Sequence, residues 1–252
     1  MPRAARIKSN SGIYHIMLRG INQQNIFEDD EDKDKFLDVL RECKVISGYQ
    51  VYGYCLMGNH IHLLIKFESE QPELVFKRIG GRYVYWYNMK YKRIGHLFQD
   101  RFKSEPVNDE AYLLTVLRYI HQNPVKAGLC KSVENYKYSS YREYVGRAYL
   151  VDIDFVYEII NKEDFSKFNN EQNSDSCMEI TEEVRFRLTD EQVKKEIKNL
   201  TNCDNIVEVQ ALSNGMKSRL VCKLYSCGGS VRQISRLTGI SKGIVEKCLK
   251  KV

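Results

Sequence analysis

Apolar and polar residues alternate along the first hundred residues in a way that predicts an ordered series of strands and helices. Residues 12–20, "GIYHIMLRG", combine β-branched and aromatic side chains and close on glycine, which is typical of a strand. An acidic segment then leads into a helix with one apolar face, which Gly48 ends. "YQVYGYCLM" and "HIHLLIKF" predict the two strands of an antiparallel hairpin.

A second helix is predicted from about residue 73 to residue 91, and "LFQDRFKSEPV" predicts a fourth strand or extended segment. A third helix follows over residues 109–123. This strand–helix–strand–strand–helix–strand order, with one helix added, predicts an α+β fold with a ferredoxin-like antiparallel sheet. A tyrosine-rich segment closes the region near Gly146, so we predict a first domain over residues 1–146.

The rest of the chain divides into two parts. Residues 147–183 are rich in Asn, Asp, Ser and Glu, and we interpret them as a flexible polar linker. In residues 184–252, "SVRQISRLTGISKGIVEKCLKK" places apolar residues at helical spacing on both sides of "TGIS", with Ser241 as a predicted N-cap. This pattern predicts a small all-α domain with a helix-turn-helix that docks on DNA. A helical bundle used for self-association is the alternative.

The composition narrows the class of protein only a little. The 252 residues carry a formal net charge of +6, a mild basic excess that suits a polyanionic partner. The eight cysteines are scattered and form no Cys-x-x-Cys pair, which favours reduced thiols in a cytoplasmic protein. No apolar run approaches the roughly 20 residues of a membrane span, and the basic N-terminus lacks the apolar stretch of a signal peptide. We therefore expect a cytoplasmic protein with no membrane partner.

Candidate chemistry centres on two histidines in the second hairpin strand. Side chains alternate along a strand, so His60 and His62 point to one face. Neutral imidazoles are common ligands of divalent ions, although a bare His-x-His pair also occurs on wet sheet surfaces. On the third helix, Tyr119 and Asn123 are four residues apart and share a face. If this face packs toward the histidines, two imidazoles and an amide oxygen could hold Mg²⁺ or Mn²⁺ beside a phenol, an arrangement suited to covalent phosphoryl transfer.

Four segments together resemble a known family: "MLRGINQQNIF" (17–27), "YCLMGNHIHLLI" (54–65), "HLFQDRFKS" (96–104) and "YLLTVLRYIHQNPVKAGL" (112–129). They are similar to the HUH single-tyrosine transposases, and most of all to the REP-associated tyrosine transposase branch. The resemblance implies an HUH endonuclease fold in which His60 and His62 are the metal ligands and Tyr119 is the nucleophile. Asn123 occupies the position of the third ligand, which is a glutamine in related small insertion-sequence enzymes.

The same resemblance implies an activity. The protein would be a transposase: a metal-dependent single-stranded DNA endonuclease and strand transferase acting through a 5′-phosphotyrosine. Its substrate would be hairpin or palindromic repeat DNA, and it would act as a monomer or homodimer. Two other functions stay open, namely an HUH replication initiator or relaxase, and a non-catalytic transcription regulator. The regulator would leave the residues around Tyr119 without a purpose.

Basic and aromatic residues interleave along the second helix and the loop after it, as in surfaces that bind single-stranded nucleic acid. A solvated charged face is the alternative. The predicted DNA-binding residues are Lys77, Arg78, Arg82, Lys90, Lys92, Arg93, Arg101, Lys103 and, in the C-terminal domain, Lys242. The sequence names no general base, because His121 lies on a different side of its helix from Tyr119 and is interpreted as a surface residue. Tyr112 is the next candidate nucleophile.

Overall fold

A computed structural model of the protein describes residues 6–173, 175, 177, 178, 190–203 and 205–249. The chain forms two compact units, Met1–Glu179 and Ile180–Val252. The first unit therefore extends well beyond residue 146, where the first predicted domain ends. Each unit has a hydrophobic core of its own.

A four-stranded antiparallel sheet with the strand order β2-β3-β1-β4 organises the first unit. The strands are β1 (Ile13–Arg19), β2 (Gln50–Leu56), β3 (His60–Lys66) and β4 (Lys103–Pro106). Helix α1 (Asp30–Ser47) joins β1 to β2, and helix α2 (Pro72–Lys90) joins β3 to β4. The predicted element order and the α+β class are confirmed. The fourth strand is shorter than its predicted segment, because the residues before Lys103 form a loop that bridges to Gly20 only at Phe98.

Helix α1 begins and ends where its sequence signals predict. Asp29 and Asp32 form a capping box at its start, and Gly48 ends it in the left-handed conformation, with φ of 66°. The Asp32 side chain, fully buried, also accepts hydrogen bonds from Lys90 and Tyr91 at the end of α2. The start of α1 and the end of α2 are therefore fixed to each other.

The two faces of the sheet carry different residues. On one face, Ile61, Leu63 and Ile65 of β3 are completely buried, and Phe67, next in the alternation, contacts Phe76 of α2. The opposite face receives helix α3 (Glu110–Lys126). A Cβ atom added to Gly53 of β2 would lie 2.6 Å from Leu117 Cδ1, so the missing side chain lets α3 approach the sheet closely.

The structure corrects the predicted linker over its described part, residues 147–173, 175, 177 and 178. After the short helix α4 (Tyr141–Val145), this segment forms α5 (Asp154–Ile159) and α6 (Lys162–Asn170). Phe165 is fully buried, and its ring stacks on Tyr144 with 4.4 Å between the centroids. A few apolar residues at helical spacing anchor the segment although its average composition is polar. Residues 174, 176 and 179–183 of the predicted linker lie outside the described residues.

The second unit is built from five helices over its described residues. They are α7 (Asp190–Thr201), α8 (Ile206–Ala211), α9 (Asn214–Ser226), α10 (Val231–Thr238) and α11 (Lys242–Leu249). Ser230 and Gln233 form a capping box at the start of α10, and Gly239 ends it with φ of 72°. The Ser241 carbonyl then accepts the first hydrogen bonds of α11. The two predicted short helices are formed, while their DNA-docking role stays a prediction.

Within the described ranges, none of the helices has the combination of length and apolarity that crossing a membrane requires.

The packing of α6 predicts that residues 154–170 contribute to the stability of the first unit. Phe165→Ala should lower the free energy of unfolding by about 3–5 kcal/mol, because it leaves a cavity among buried aromatic rings. Lys167→Ala, an exposed change on the same helix, should alter it by less than about 0.5 kcal/mol. Urea unfolding of the full chain measures both, and equal effects of the two changes would contradict the packing.

Candidate active site around His60, His62 and Tyr119

The register of β1 against β3 brings three histidines to one face of the sheet. Met17 pairs with His62 and Arg19 pairs with His60, so the alternating residues His15, Met17 and Arg19 share the face of the two predicted ligands. Residues His15, His60 and His62 define what we call the histidine face. On the other side of β1, β4 places Glu105 opposite His15.

Helix α3 packs on the histidine face. Asp109 caps its start by accepting a hydrogen bond from the Tyr112 backbone, and Leu113, Val116, Leu117 and Ile120 form its buried apolar stripe. Tyr119 and Asn123 lie beside this stripe, on the side of the helix that faces the histidines. The stripe therefore presses a polar part of the helix against the imidazoles.

The structure brings together the four residues predicted to form the site. The Tyr119 ring meets the His62 ring edge to face, with 5.6 Å between the centroids. The Asn123 amide nitrogen lies 3.3 Å from His62 Nε2, and the Asn123 side chain also contacts His60. The His60 and His62 rings are 5.1 Å apart, centroid to centroid.

Asn59 fixes the orientation of His60. Its amide nitrogen donates to the Gln23 carbonyl, so its Oδ1 faces His60 Nδ1 at 2.7 Å. An amide oxygen only accepts, hence Nδ1 of neutral His60 carries the proton and Nε2 keeps its lone pair. An imidazole in this form is a metal ligand.

The donor set fits a divalent ion if Asn123 contributes its oxygen. Within the described residues, no group of three or more His, Cys, Asp or Glu side chains is arranged to hold a metal ion. An ion held by His60 and His62 therefore needs a ligand of another kind. The Asn123 amide contacts both imidazoles, and amide oxygens suit Mg²⁺ and Mn²⁺.

Comparison with known proteins shows which family the first unit is similar to. Residues 8–123 match the family described as "Transposase IS200 like", a range that includes His60, His62, Tyr119 and Asn123. This stretch, a little under half of the chain, is similar to the transposases of that family. The family resemblance seen in the sequence is thus confirmed.

Two relatives extend the comparison. A Haemophilus influenzae protein named "Putative REP-associated tyrosine transposase" is 28% identical over 105 residues, covering 37% of this chain. The match spans 59% of that relative's length. A solved structure of a REP-associated tyrosine transposase bound to a REP hairpin is 15% identical, with a TM-score of 0.52. It aligns over 72% of this chain and 100% of its own, which shows a shared fold.

Burial keeps the three imidazoles of the histidine face neutral. It lowers the pKa of His60, against which the contact with Asn123 acts. It lowers the pKa of His62 well below its usual range, and the neighbouring rings of His15 and His60 add to the shift. Burial also lowers the pKa of His15, opposed by Glu105. At neutral pH these imidazoles are therefore in the form that binds a cation.

The two candidate nucleophiles have different surroundings. Tyr119 is only 3% exposed, and the ammonium group of Lys126 lies 5.1 Å from the centre of its ring. Tyr112 instead hydrogen-bonds Glu105, and burial together with this carboxylate raises the pKa of its phenol. Tyr119 is the tyrosine of the pair that contacts the predicted metal ligand His62.

His121 is not the surface residue that its sequence position suggested. It is completely buried, with Nδ1 2.7 Å from the Asn169 side-chain oxygen and Nε2 2.8 Å from Ser140 Oγ. Asn169 belongs to α6, in the segment interpreted from the sequence as a flexible linker. No buried partner for His121 was therefore expected there. His121 points away from the histidine face and connects α3 to the α6 side of the unit.

The nine predicted DNA-binding cations divide into three groups. Arg78, Arg82 and Lys90 are paired with carboxylates of the same unit, and Lys242 is paired with Glu246 on α11. Arg93 donates to the Gln24 side chain. For four others, no carboxylate partner occurs among the described residues, and all four are exposed. They are Lys77, Lys92, Arg101 and Lys103.

Lys103 has a position of particular interest, because it pairs with Met17, which pairs in turn with His62. Two strand spacings of about 4.8 Å therefore separate it from His62 along the sheet, a distance of roughly 10 Å.

Sequence reasoning missed His15 and Glu105. The alternation in "YHIMLR" places His15, Met17 and Arg19 on one face, which is a local signal. Whether this face also carries His62 depends on pairing between strands that are distant in the sequence, and no local pattern indicates that pairing.

The burial of His121 predicts a specific pH dependence of stability. Burial lowers the pKa of His121 to about 4 from an ordinary 6.5, so its contribution is complete above pH 6.5 and is lost as the pH falls toward 4. Between pH 7 and pH 5 the loss should be roughly 2 kcal/mol.

Urea unfolding at both pH values, with His121→Gln for comparison, measures this contribution. The variant should be less stable at pH 7 yet lose less on acidification, because the other buried histidines titrate equally in both proteins. Parallel pH dependences of the two proteins would contradict the neutral, buried state of His121.

Proposed function

We propose that the protein is a metal-dependent single-stranded DNA endonuclease and strand transferase that acts through Tyr119 on hairpin or palindromic repeat DNA. The observation that carries the proposal is the contact of Tyr119 and Asn123 of one helix with His62 of the sheet. The similarity of residues 8–123 to the IS200-like transposase family supports it. The REP hairpin bound to the structural relative suggests the form of the DNA.

Each residue has a role in the proposed reaction. His60, His62 and Asn123 would hold Mg²⁺ or Mn²⁺, which when bound neutralises charge on the phosphate oxygens and the leaving group. The Tyr119 oxygen attacks the phosphorus atom and loses its proton, while the bond from phosphorus to the 3′ oxygen breaks and that oxygen takes up a proton. The products are a 5′-phosphotyrosine and a free 3′-hydroxyl. Attack by a 3′-hydroxyl on the phosphotyrosine reverses the step without an external energy source.

DNA contact is proposed for the exposed cations of the first unit. Lys103 is the first residue of β4 and pairs with Met17, whose side chain shares the histidine face, and Arg101 lies just before it. Both can hold the backbone of single-stranded DNA whose phosphate reaches Tyr119. Lys77 lies on α2, which packs on the opposite face of the sheet, and Lys92 lies in its exit loop. These two would contact a separate part of the DNA backbone. The side chain of Tyr85, 71% exposed on the same helix, offers a ring for stacking against a base.

A second DNA contact is proposed for the helical unit. Its α10 and α11 helices, joined through Gly239, fit the helix-turn-helix arrangement in which the second helix enters a groove. Lys242 and Lys247 on α11 supply positive charge. This unit would dock duplex DNA of a hairpin stem, while the first unit acts on the single strand.

The proposed nucleophile is tested by adduct formation. The full chain is incubated with Mg²⁺ or Mn²⁺ and single-stranded hairpin oligonucleotides taken from DNA flanking its gene, and denaturant-resistant protein–DNA adducts are resolved on a gel. Wild type and Tyr112→Phe should form the adduct. Tyr119→Phe should form none but should bind the same DNA within about twofold, because it keeps the ring and lacks only the attacking oxygen.

Two results would count against this assignment. An adduct in Tyr119→Phe would point to another tyrosine. Tight binding of the hairpins by wild type, with no adduct under any metal condition, would favour the transcription regulator.

The proposed DNA surface is tested by the salt dependence of binding. Replacing both Arg101 and Lys103 with alanine should weaken single-strand binding and lower the slope of log K against log salt by roughly one to one and a half, because each lost phosphate contact removes about 0.7. Arg82→Ala is the matched control. Its charge is already paired with Glu42, so the slope should stay close to that of wild type. Equal slopes for the double variant and wild type would remove this surface from the proposal.

A further inference from the structure

A hydrogen-bonded chain of three side chains, Glu105, His15 and His62, runs across the sheet beneath α3. His15 Nδ1 lies 3.4 Å from Glu105 Oε2, and His15 Nε2 lies 3.0 Å from His62 Nδ1. His15 is completely buried between them. The proposed reaction gives His15 no role, although burying a polar ring in this position has a cost unless its nitrogens are satisfied.

The chemistry of the three groups fixes where the protons lie. An ionised carboxylate only accepts hydrogen bonds, so His15 Nδ1 must carry the proton that faces Glu105. A neutral imidazole has a single proton, which leaves His15 Nε2 as an acceptor. The proton of the next hydrogen bond therefore belongs to His62 Nδ1. His62 Nε2 is then left with its lone pair, on the side where Asn123 lies 3.3 Å away.

We propose that His15 and Glu105 are positioning residues that hold His62 in the tautomer presenting Nε2 to a divalent ion. This inference rests on the proposed function, because it concerns the same ligand. Without an acceptor at Nδ1, the His62 ring can place its proton on Nε2 instead and lose the ligating lone pair. The chain gives His62 the kind of support that Asn59 gives His60.

Glu105, the last member of this hydrogen-bonded series, is itself held in place. Glu105 pairs with His15 across β1 and β4, so its side chain is directed to the histidine face. Its carboxylate accepts hydrogen bonds from the Tyr112 phenol and from the Met178 backbone, 3.1 Å away. These contacts keep one oxygen directed at His15, and Tyr112 thereby acquires a supporting role in place of a nucleophilic one.

The test uses the full chain and two readouts that do not depend on DNA cleavage. Long-range ¹H–¹⁵N spectra of the imidazoles report the His62 tautomer without metal, and the loss of the free Mn²⁺ signal in electron paramagnetic resonance reports Mn²⁺ affinity. His15→Leu removes the acceptor, whereas His15→Gln keeps a side-chain oxygen at similar reach. Glu105→Ala removes the carboxylate at the end of the hydrogen-bonded series. The Glu105 side chain is 29% exposed, so this change disturbs the core less than a change at His15.

The matched control is His121→Leu, which removes another fully buried histidine from the same unit, away from the histidine face. His15→Leu should mix the His62 tautomers and lower Mn²⁺ affinity by about 10- to 100-fold, with Glu105→Ala showing a smaller loss in the same direction. His15→Gln should restore most of the affinity. His121→Leu should lower the unfolding midpoint but keep the wild-type tautomer and Mn²⁺ affinity.

Wild-type tautomer and Mn²⁺ affinity in both His15→Leu and Glu105→Ala would overturn the inference, as would an equal loss of affinity in His121→Leu. Failure of the proposed function has a different signature. Wild type would then bind no Mn²⁺, while the metal-free spectra would still show whether His15 controls the His62 proton.

Discussion

The pairing register between β1 and β3 is the constraint on which the site depends. It sets Met17 opposite His62 and Arg19 opposite His60, and with the alternation of each strand it gathers the three histidines on one face. A shift of one residue would turn an entire strand over and exchange its polar and apolar faces. The completely buried Ile61, Leu63 and Ile65 prevent such a shift, because it would move them away from the core.

The depth of α3 on the sheet follows from the small size of one residue. Gly53 lets Leu117 approach β2, and the helix then lies low enough for its polar turn to reach the imidazoles. The same close packing excludes water from the rings and lowers their pKa values. Burial of the apolar stripe and the neutral state of the ligands are therefore two results of one contact.

Local periodicity accounts for the parts of the site that the sequence could predict. That His60 and His62 share a face, and that Tyr119 and Asn123 share another, follows from the repeats of a strand and a helix. His15 and Glu105 could not be predicted in the same way, since their importance depends on which strands become neighbours. His121 was misplaced for a similar reason, because its partner Asn169 lies 48 residues away.

Residue composition gave wrong predictions for two other parts of the protein, the segment of α5 and α6 and the charges of α2. The segment containing α5 and α6 is polar on average, but the burial of Val156 and Phe165 decides its structure. The cations of α2 suggested a single basic surface, yet carboxylates distant in sequence, such as Glu42 for Arg82, neutralise several of them. Net charge along a segment says little until the opposite charges that fold against it are known.

Tyr119 and Asn123 stand one turn apart on a single helix, so their mutual spacing is set by backbone hydrogen bonds and not by the surrounding packing. Any displacement of α3 relative to the sheet must carry both side chains together. A movement of the whole helix would therefore bring the phenol and the amide to the imidazoles, or remove them, at the same time. Such a linkage would protect a DNA strand from attack by a half-formed centre.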